Sequence, residues 1–440
     1  MKNSMLAGCA AIAFAGLCGT AAADTAPGKF DIKLGGDASF TAGYVSQNTT
    51  PLATDKLSAT DFTNRFRLQV TPTAKADNGM EYGANLRVRT WLGNGVVDAD
   101  QAYVFTGGTF GRIEAGVTPG PNSQYGVAAP SGFGTGGVLG DWSDGPSMVP
   151  FTGSWLVNQN GYVGATFGSE FNFITNNNWA TKVNYFTPRF FGSDDKTGLM
   201  GMVSYTPQNL SVGTAVSRTD RIAPTNWLTN DSACGYAPAS NGSTALQGCN
   251  WKNIIEAGLR YDGTFSGVTV SGSFGYEHGD APIPTTLGAT RFNDLDALQV
   301  GFQVGYAGFL VGGSYLDAGK SGYTKSATAG SLGVTRNTTA QSAFTAGISY
   351  ETGPVVVGFN YAHGEDAGDM SLRGSRTVDL YSVGATYTLA PGLTTSLEYL
   401  RSTSNNQTGF TTTSTDYIGA NGKTGSGDAD LILWKNVVTF

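Results

Sequence analysis

Charge is what this chain has least of. Asp, Glu, Lys and Arg together make up 13% of its 440 residues, about half the share of an ordinary soluble domain. That scarcity argues against a typical cytosolic enzyme. Long apolar runs are missing too. After residue 24 no stretch of about 18 apolar residues occurs, so no transmembrane helix is expected. A mean hydropathy of −0.13 is likewise too polar for a helical membrane protein. Only two histidines, His278 and His363, are present. Neither has a local partner motif for nucleophilic catalysis, so an enzyme is not expected. No basic tract interleaved with aromatics points to nucleic acid, and nothing in the sequence calls for a cofactor.

Cysteine is scarce as well. Two of the four, Cys9 and Cys18, fall in an N-terminal segment with the marks of a secretory leader. Lys2 precedes the apolar run 5–18, and "AAA" at 21–23 precedes Asp24. Residues 1–23 are therefore read as a signal peptide; its loss takes the formal charge from −7 to −8. "LAGC" (6–9) matches a lipobox, but Cys9 comes before the apolar run is complete. Cys234 and Cys249 remain in an exported chain, closing a 16-residue segment, and are expected to form a disulfide.

What is abundant is glycine, 63 residues, together with 19 Tyr and 24 Phe. These sit in segments of about ten residues that alternate apolar and polar with a period of two, the pattern of membrane-crossing β-strands. In the first, Phe30, Ile32, Leu34, Ala38, Phe40, Ala42 and Tyr44 share one face, and Asp31, Lys33, Asp37, Ser39 and Thr41 the other. Strands are read near 30–46, 61–75, 80–92, 99–106, 110–118, 179–190, 198–206, 252–262, 268–277, 294–306, 309–317, 341–350, 355–362, 377–389, 393–402 and 428–440. Short turns and long polar loops alternate between them. "LSVGTAVS" (210–217) also alternates, but a strand there would put the cysteine-bearing segment on the short-turn side. Residues 207–251 are therefore assigned to one long outer loop with a hairpin-like excursion. The expectation is an all-β, antiparallel transmembrane barrel of sixteen strands over 24–440, closed by a last strand that ends on Phe440.

A barrel of that size has a water-filled lumen, so its polar face is where chemistry would lie. "NRFRLQV" places Arg65 and Arg67, and "NLRVRT" Arg87 and Arg89, on the polar faces of two neighbouring strands. Facing lipid, each would cost roughly 2–4 kcal/mol at the midplane; facing water, they form a basic ladder. Residues 119–178 are far too long for a plain connection. No Lys or Arg lies between Arg112 and Lys182, and Asp141 and Asp144 are among the few acids there. If this segment folds into the lumen, Asp141 and Asp144 oppose the arginines across a constriction and set up a transverse field.

Other motifs are weaker. "GFGTGG" (132–137) fits a dinucleotide fingerprint but lacks a strand–turn–helix unit. Glu365, Asp366 and Asp369 are candidate hard-cation ligands, more simply read as a solvated acidic loop.

The segments "AYVFTGGTFGRIEAG" (102–116), "AAPSGFGTGGVLGDW" (128–142), "KVNYFTPRF" (182–190), "VSYTP" (203–207) and the terminal Phe440 resemble Gram-negative general porins, the middle three most closely those of α-proteobacteria. The resemblance covers the whole mature chain. It implies a sixteen-stranded, homotrimeric diffusion channel in outer-membrane lipid, passing small hydrophilic solutes and ions. It also implies an inward-folded loop after the fifth strand, with acids facing basic residues on the wall. Arg65, Arg67, Arg87 and Arg89 match that wall by strand position; Asp141 and Asp144 match the loop by region. Two departures stand out: the second outer loop (93–98) is short, and the inward loop is longer than usual. A sugar-specific channel and a plugged adhesin or receptor barrel are the rival readings.

Overall fold

The computed structural model describes residues 29–47, 59–90, 97–140, 180–192, 197–208, 237–238, 244–245, 251–281, 293–321, 339–366, 375–407 and 425–440. The leader, Asp141, Asp144, Asp369, Cys234, Cys249 and the alternating segment 210–217 lie outside them.

Among the described residues eighteen strands are present: β1 (Asp31–Gln47), β2 (Thr60–Lys75), β3 (Glu81–Thr90), β4 (Val97–Gly108), β5 (Gly111–Val117), β6 (Thr181–Phe186), β7 (Gly198–Gln208), β8 (Ala237–Pro238), β9 (Thr244–Ala245), β10 (Lys252–Phe265), β11 (Val268–Asp280), β12 (Leu295–Tyr306), β13 (Phe309–Gly319), β14 (Gln341–Thr352), β15 (Val355–Asp366), β16 (Arg376–Ala390), β17 (Leu393–Gln407) and β18 (Gly425–Thr439). β8 and β9 pair only with each other, inside the long segment between β7 and β10. The other sixteen form one closed antiparallel barrel in which every strand pairs with its chain neighbours.

Closure joins β1 to β18, with Asp37 opposite Thr439 and Tyr44 opposite Ile432. The terminal residue completes the ladder. Phe440 N–H donates to the Gly36 carbonyl at 3.0 Å, Gly36 N–H donates to the Phe440 carbonyl at 2.9 Å, and the Phe440 ring lies 5.9 Å from Phe66. No edge is left to pair with another chain.

The alternation in the sequence becomes two surfaces. Leu34, Phe62, Tyr306, Phe359 and Leu397 stand exposed on the outer face, as lipid-facing side chains must. Five two-residue turns help close one end, with residues 76–80 and 187–197 as its other connections. Between β12 and β13, Ala307 and Gly308 both take positive φ (50° and 86°), the backbone of a tight hairpin turn matched to strand twist. The longest connections, led by those between β5 and β6 and between β7 and β10, join strands at the opposite end. β6 stops at Phe186, short of the expected 190. Pro188 has no N–H for the ladder, and pairing resumes only as an isolated bridge between Phe190 and Leu199.

Candidate functional site

The arginines lie where β2 and β3 pair, with Arg67 directly opposite Arg89. Like charges in such positions repel, and the flanking strands supply the compensation. Asp37 on β1 accepts from Arg67 Nε at 2.7 Å and lies 3.8 Å from Arg65. Asp100 on β4 accepts from Arg87 Nε at 2.7 Å and Nη2 at 2.9 Å, and lies 3.2 Å from Arg89 Nη1. Asp100 is almost wholly buried, and Arg89 is only 8% exposed. The ladder thus sets four guanidiniums around Asp37 and Asp100, the carboxylates that meet them among the described side chains. Gln69, Thr71, Asn85 and Gln101 form a neutral hydrogen-bonded layer beside it.

Asp37 was readable on the polar face of the first strand. Asp100 was not. The β3–β4 register passes from Arg87 opposite Gln101 to Val88 opposite Ala99, leaving Asp100 as an extra residue in a β-bulge. A bulge re-aims a side chain that simple alternation would place on the wrong face. Asp100→Asn is expected to shift reversal potentials in a salt gradient toward anions. It would also cost about 3–5 kcal/mol of local stability, because a buried guanidinium loses a charged partner. Unchanged selectivity with an unchanged unfolding temperature would contradict both.

After β5 the chain turns inward. Thr118 Oγ1 donates to Glu114 at 2.7 Å, Lys182 Nζ donates to the Thr118 carbonyl at 2.9 Å, and Asn184 Nδ2 donates to the Pro119 carbonyl at 2.9 Å. A short helix, α1 (Pro121–Tyr125), follows, started by proline at its first position. Burial, ahead of the opposing pull of Arg189 and Arg260, raises the Tyr125 phenol above its ordinary pKa. It is therefore a neutral donor, 3.5 Å from the Gly201 carbonyl.

From there the arm runs along the inner wall, strand after strand. Val127 N–H donates to Ser273 on β11 at 2.8 Å, Gln303 on β12 donates to the Ala128 carbonyl at 2.8 Å, and Ala129 N–H donates to Thr345 on β14 at 3.2 Å. Asn360 on β15 both donates to the Pro130 carbonyl and accepts from Val138 N–H, each at 3.0 Å. Glu398 on β17 accepts from Thr135 N–H at 2.5 Å and Thr135 Oγ1 at 2.7 Å. Its other oxygen accepts from Ser382 at 2.7 Å. An irregular segment inside a barrel must find partners for its backbone, and here wall side chains provide them. Gly134 and Gly137 of "GFGTGG" serve this docking, since a Cβ there would meet Glu398 at 2.6 Å and Asn360 at 2.4 Å. Phe133 is fully buried between the arm and the wall, where a side chain at Gly358 would collide with its ring at 2.1 Å.

No charged residue occurs from Ala115 through Gly140, so the described arm adds shape to the lumen and no field. Its central contacts are to β11, β12 and β14. In the ring, β12 and β13 lie seven strands from β3 and β2 respectively, so the arm faces the arginine wall across the barrel. Asp141 and Asp144 follow directly on its buried end at Gly140. Among the described residues, no group of three or more His, Cys, Asp or Glu is placed to hold a metal ion.

A closed sixteen-strand barrel with an apolar outer band, a charged inner wall and an inward-folded segment is a transmembrane channel of the outer membrane. Residues 8–408 match the Gram-negative porin family, and the chain belongs to it. It is similar to an anion-selective porin from Comamonas acidovorans at 13% identity, covering 94% of this chain and 100% of that one with a TM-score of 0.52. Engineered variants of the Rhodopseudomonas blastica porin align at 14% identity over 93% of this chain and 100% of theirs, with TM-scores of 0.49 and 0.47. No curated protein matches the chain.

Proposed function

We propose that this porin is a passive diffusion channel for small hydrophilic solutes and ions, exported by the leader 1–23 and working as a homotrimer. The observation that carries the reading is the docking of residues 118–140 along the inner wall, with the central stretch 127–129 on β11, β12 and β14, opposite Arg65, Arg67, Arg87 and Arg89. It narrows the lumen from the side opposite the arginines. Solutes then pass between a neutral, backbone-lined arm and the arginine-bearing wall. Asp141 and Asp144, one and four residues beyond the docked arm, are the acidic counterpart of that wall. We assign Cys234 and Cys249, in the segment between β7 and β10, to a disulfide of the exported chain.

Conductance of the purified protein in a planar bilayer is the direct test. Ohmic current steps that close in threes are the expected result. A silent membrane from a correctly folded barrel would replace this reading with a plugged adhesin or receptor. Saturable current block by a sugar would replace it with a solute-specific channel.

A further inference from the structure

A water-filled lumen is expected to be lined with polar groups, yet one stretch of its wall is not. By register Arg112 on β5 lies opposite Phe186 on β6, Phe186 opposite Met202 on β7, and Met200 opposite Arg260 on β10. Lys182 and Asn184, which bond the arm, share the parity of Phe186, so this row points inward. It lies just on the short-turn side of the arm root. Phe105 on β4, opposite Glu114, faces the lumen beside it.

The arm root closes over part of the row. Tyr125 packs against Phe186 with ring centroids 6.2 Å apart and planes at 64°, and Met202 and Phe105 are buried. Phe186 and Met200 are only half-buried, so a ring and a thioether keep surface toward the water. Arginines flank them on either side. Arg112 lies over the Phe105 ring, its Cζ 3.9 Å from the centroid, and Glu114 accepts from its Nε at 2.9 Å. Arg260 donates to Asp262 from Nε at 2.9 Å and from Nη2 at 3.1 Å; Asp262 also accepts from Ser271 at 2.7 Å. In each pair the guanidinium is the more exposed partner. Arg112 is 37% exposed against 6% for Glu114, and Arg260 30% against 23% for Asp262. A solute at this level therefore meets the cations before the acids. β5 and β10 are three strand spacings apart, about 14 Å. That leaves room for one small ring on the apolar row between two guanidiniums.

We infer that this row is a subsite for small aromatic carboxylates in transit through the lumen. Arg260, directly opposite Met200, takes the carboxylate in charge-assisted hydrogen bonds, and Arg112 closes the other end of the row. The ring lies on Phe186 and Met200. Ring–ring and thioether–ring contacts there favour an aromatic body over a saturated one of similar size. Acetate gains the charge interaction alone. The inference rests on the channel reading, because the solute reaches the row through the lumen, and it adds a solute class that charge by itself does not select.

The test is block of single-channel current in potassium chloride near neutral pH, with the potassium salts of benzoate, cyclohexanecarboxylate and acetate added in turn. Benzoate is expected to block at about tenfold lower concentration than acetate, for a ring half covered by apolar surface, and at about threefold lower than cyclohexanecarboxylate. Met200→Gln keeps the length of the side chain and replaces thioether by amide. It is expected to bring the preference for benzoate over acetate down to about threefold. Should that variant fail to fold, Arg260→Gln is expected to raise the blocking concentration of benzoate about fivefold, and no change there would overturn the proposal. Equal block by benzoate and acetate in a conducting channel would overturn the subsite and leave the channel reading standing. Equal block by cyclohexanecarboxylate would overturn the aromatic assignment, and an unchanged preference in Met200→Gln its place on the wall. If the membrane is silent, the channel reading fails, and the fluorine NMR line of para-fluorobenzoate decides the subsite separately. Broadening by the parent protein in detergent that Met200→Gln loses supports it; equal broadening by both overturns it.

Discussion

Replacing Arg65, Arg67, Arg87 and Arg89 with serine is expected to turn the wall from a site that favours anions into one that favours cations. The size of the effect follows from the aspartates that the ladder brings with it. With Asp37 and Asp100 left in place, four positive charges are lost at one level of the lumen. A unit charge about 8 Å from a permeating ion contributes roughly 0.5 kcal/mol through water, and salt near 0.1 M cuts this to about half. The change is then about 1 kcal/mol, or about fivefold in local concentration, up for cations and down for anions. Reversal potentials in a salt gradient read this directly. If they do not move, the arginines are structural partners of the two aspartates, and selectivity is set elsewhere.

The barrel could be read from the sequence because strand alternation is a local signal, repeated sixteen times. The parity between short turns and long connections then kept 210–217 from adding a seventeenth barrel strand. The arginines were legible for the same reason, each lying on the polar face of a regular strand. What escaped depends on departures from regularity or on distant partners. Asp100 escaped because a bulge shifts its parity. Glu398 and Asn360 looked like ordinary polar wall residues, since their partners are backbone groups of a segment more than 200 residues earlier.

Detaching the arm is the other change with a large expected effect. Phe133 and Glu398 hold it near its buried end, one by packing and one by accepting hydrogen bonds from Thr135. Phe133→Ala removes a buried ring, worth about 3–5 kcal/mol. Glu398→Ala removes a charged acceptor and strands buried donors, adding about 1–3 kcal/mol. Together these are enough to move the docked fraction by a factor on the order of a thousand or more. The sixteen-strand ladder does not run through these contacts, so the unfolding temperature of the barrel should change little. The current should change a great deal. With the tip held to the wall the open level is steady; released, it enters the free half of the lumen and interrupts the flow. Single-channel records of the double variant should therefore show frequent brief closures where the parent protein shows few. Steady openings of parental size would mean that residues beyond Gly140 hold the arm in place by themselves, and that the Phe133 and Glu398 contacts follow its position without setting it.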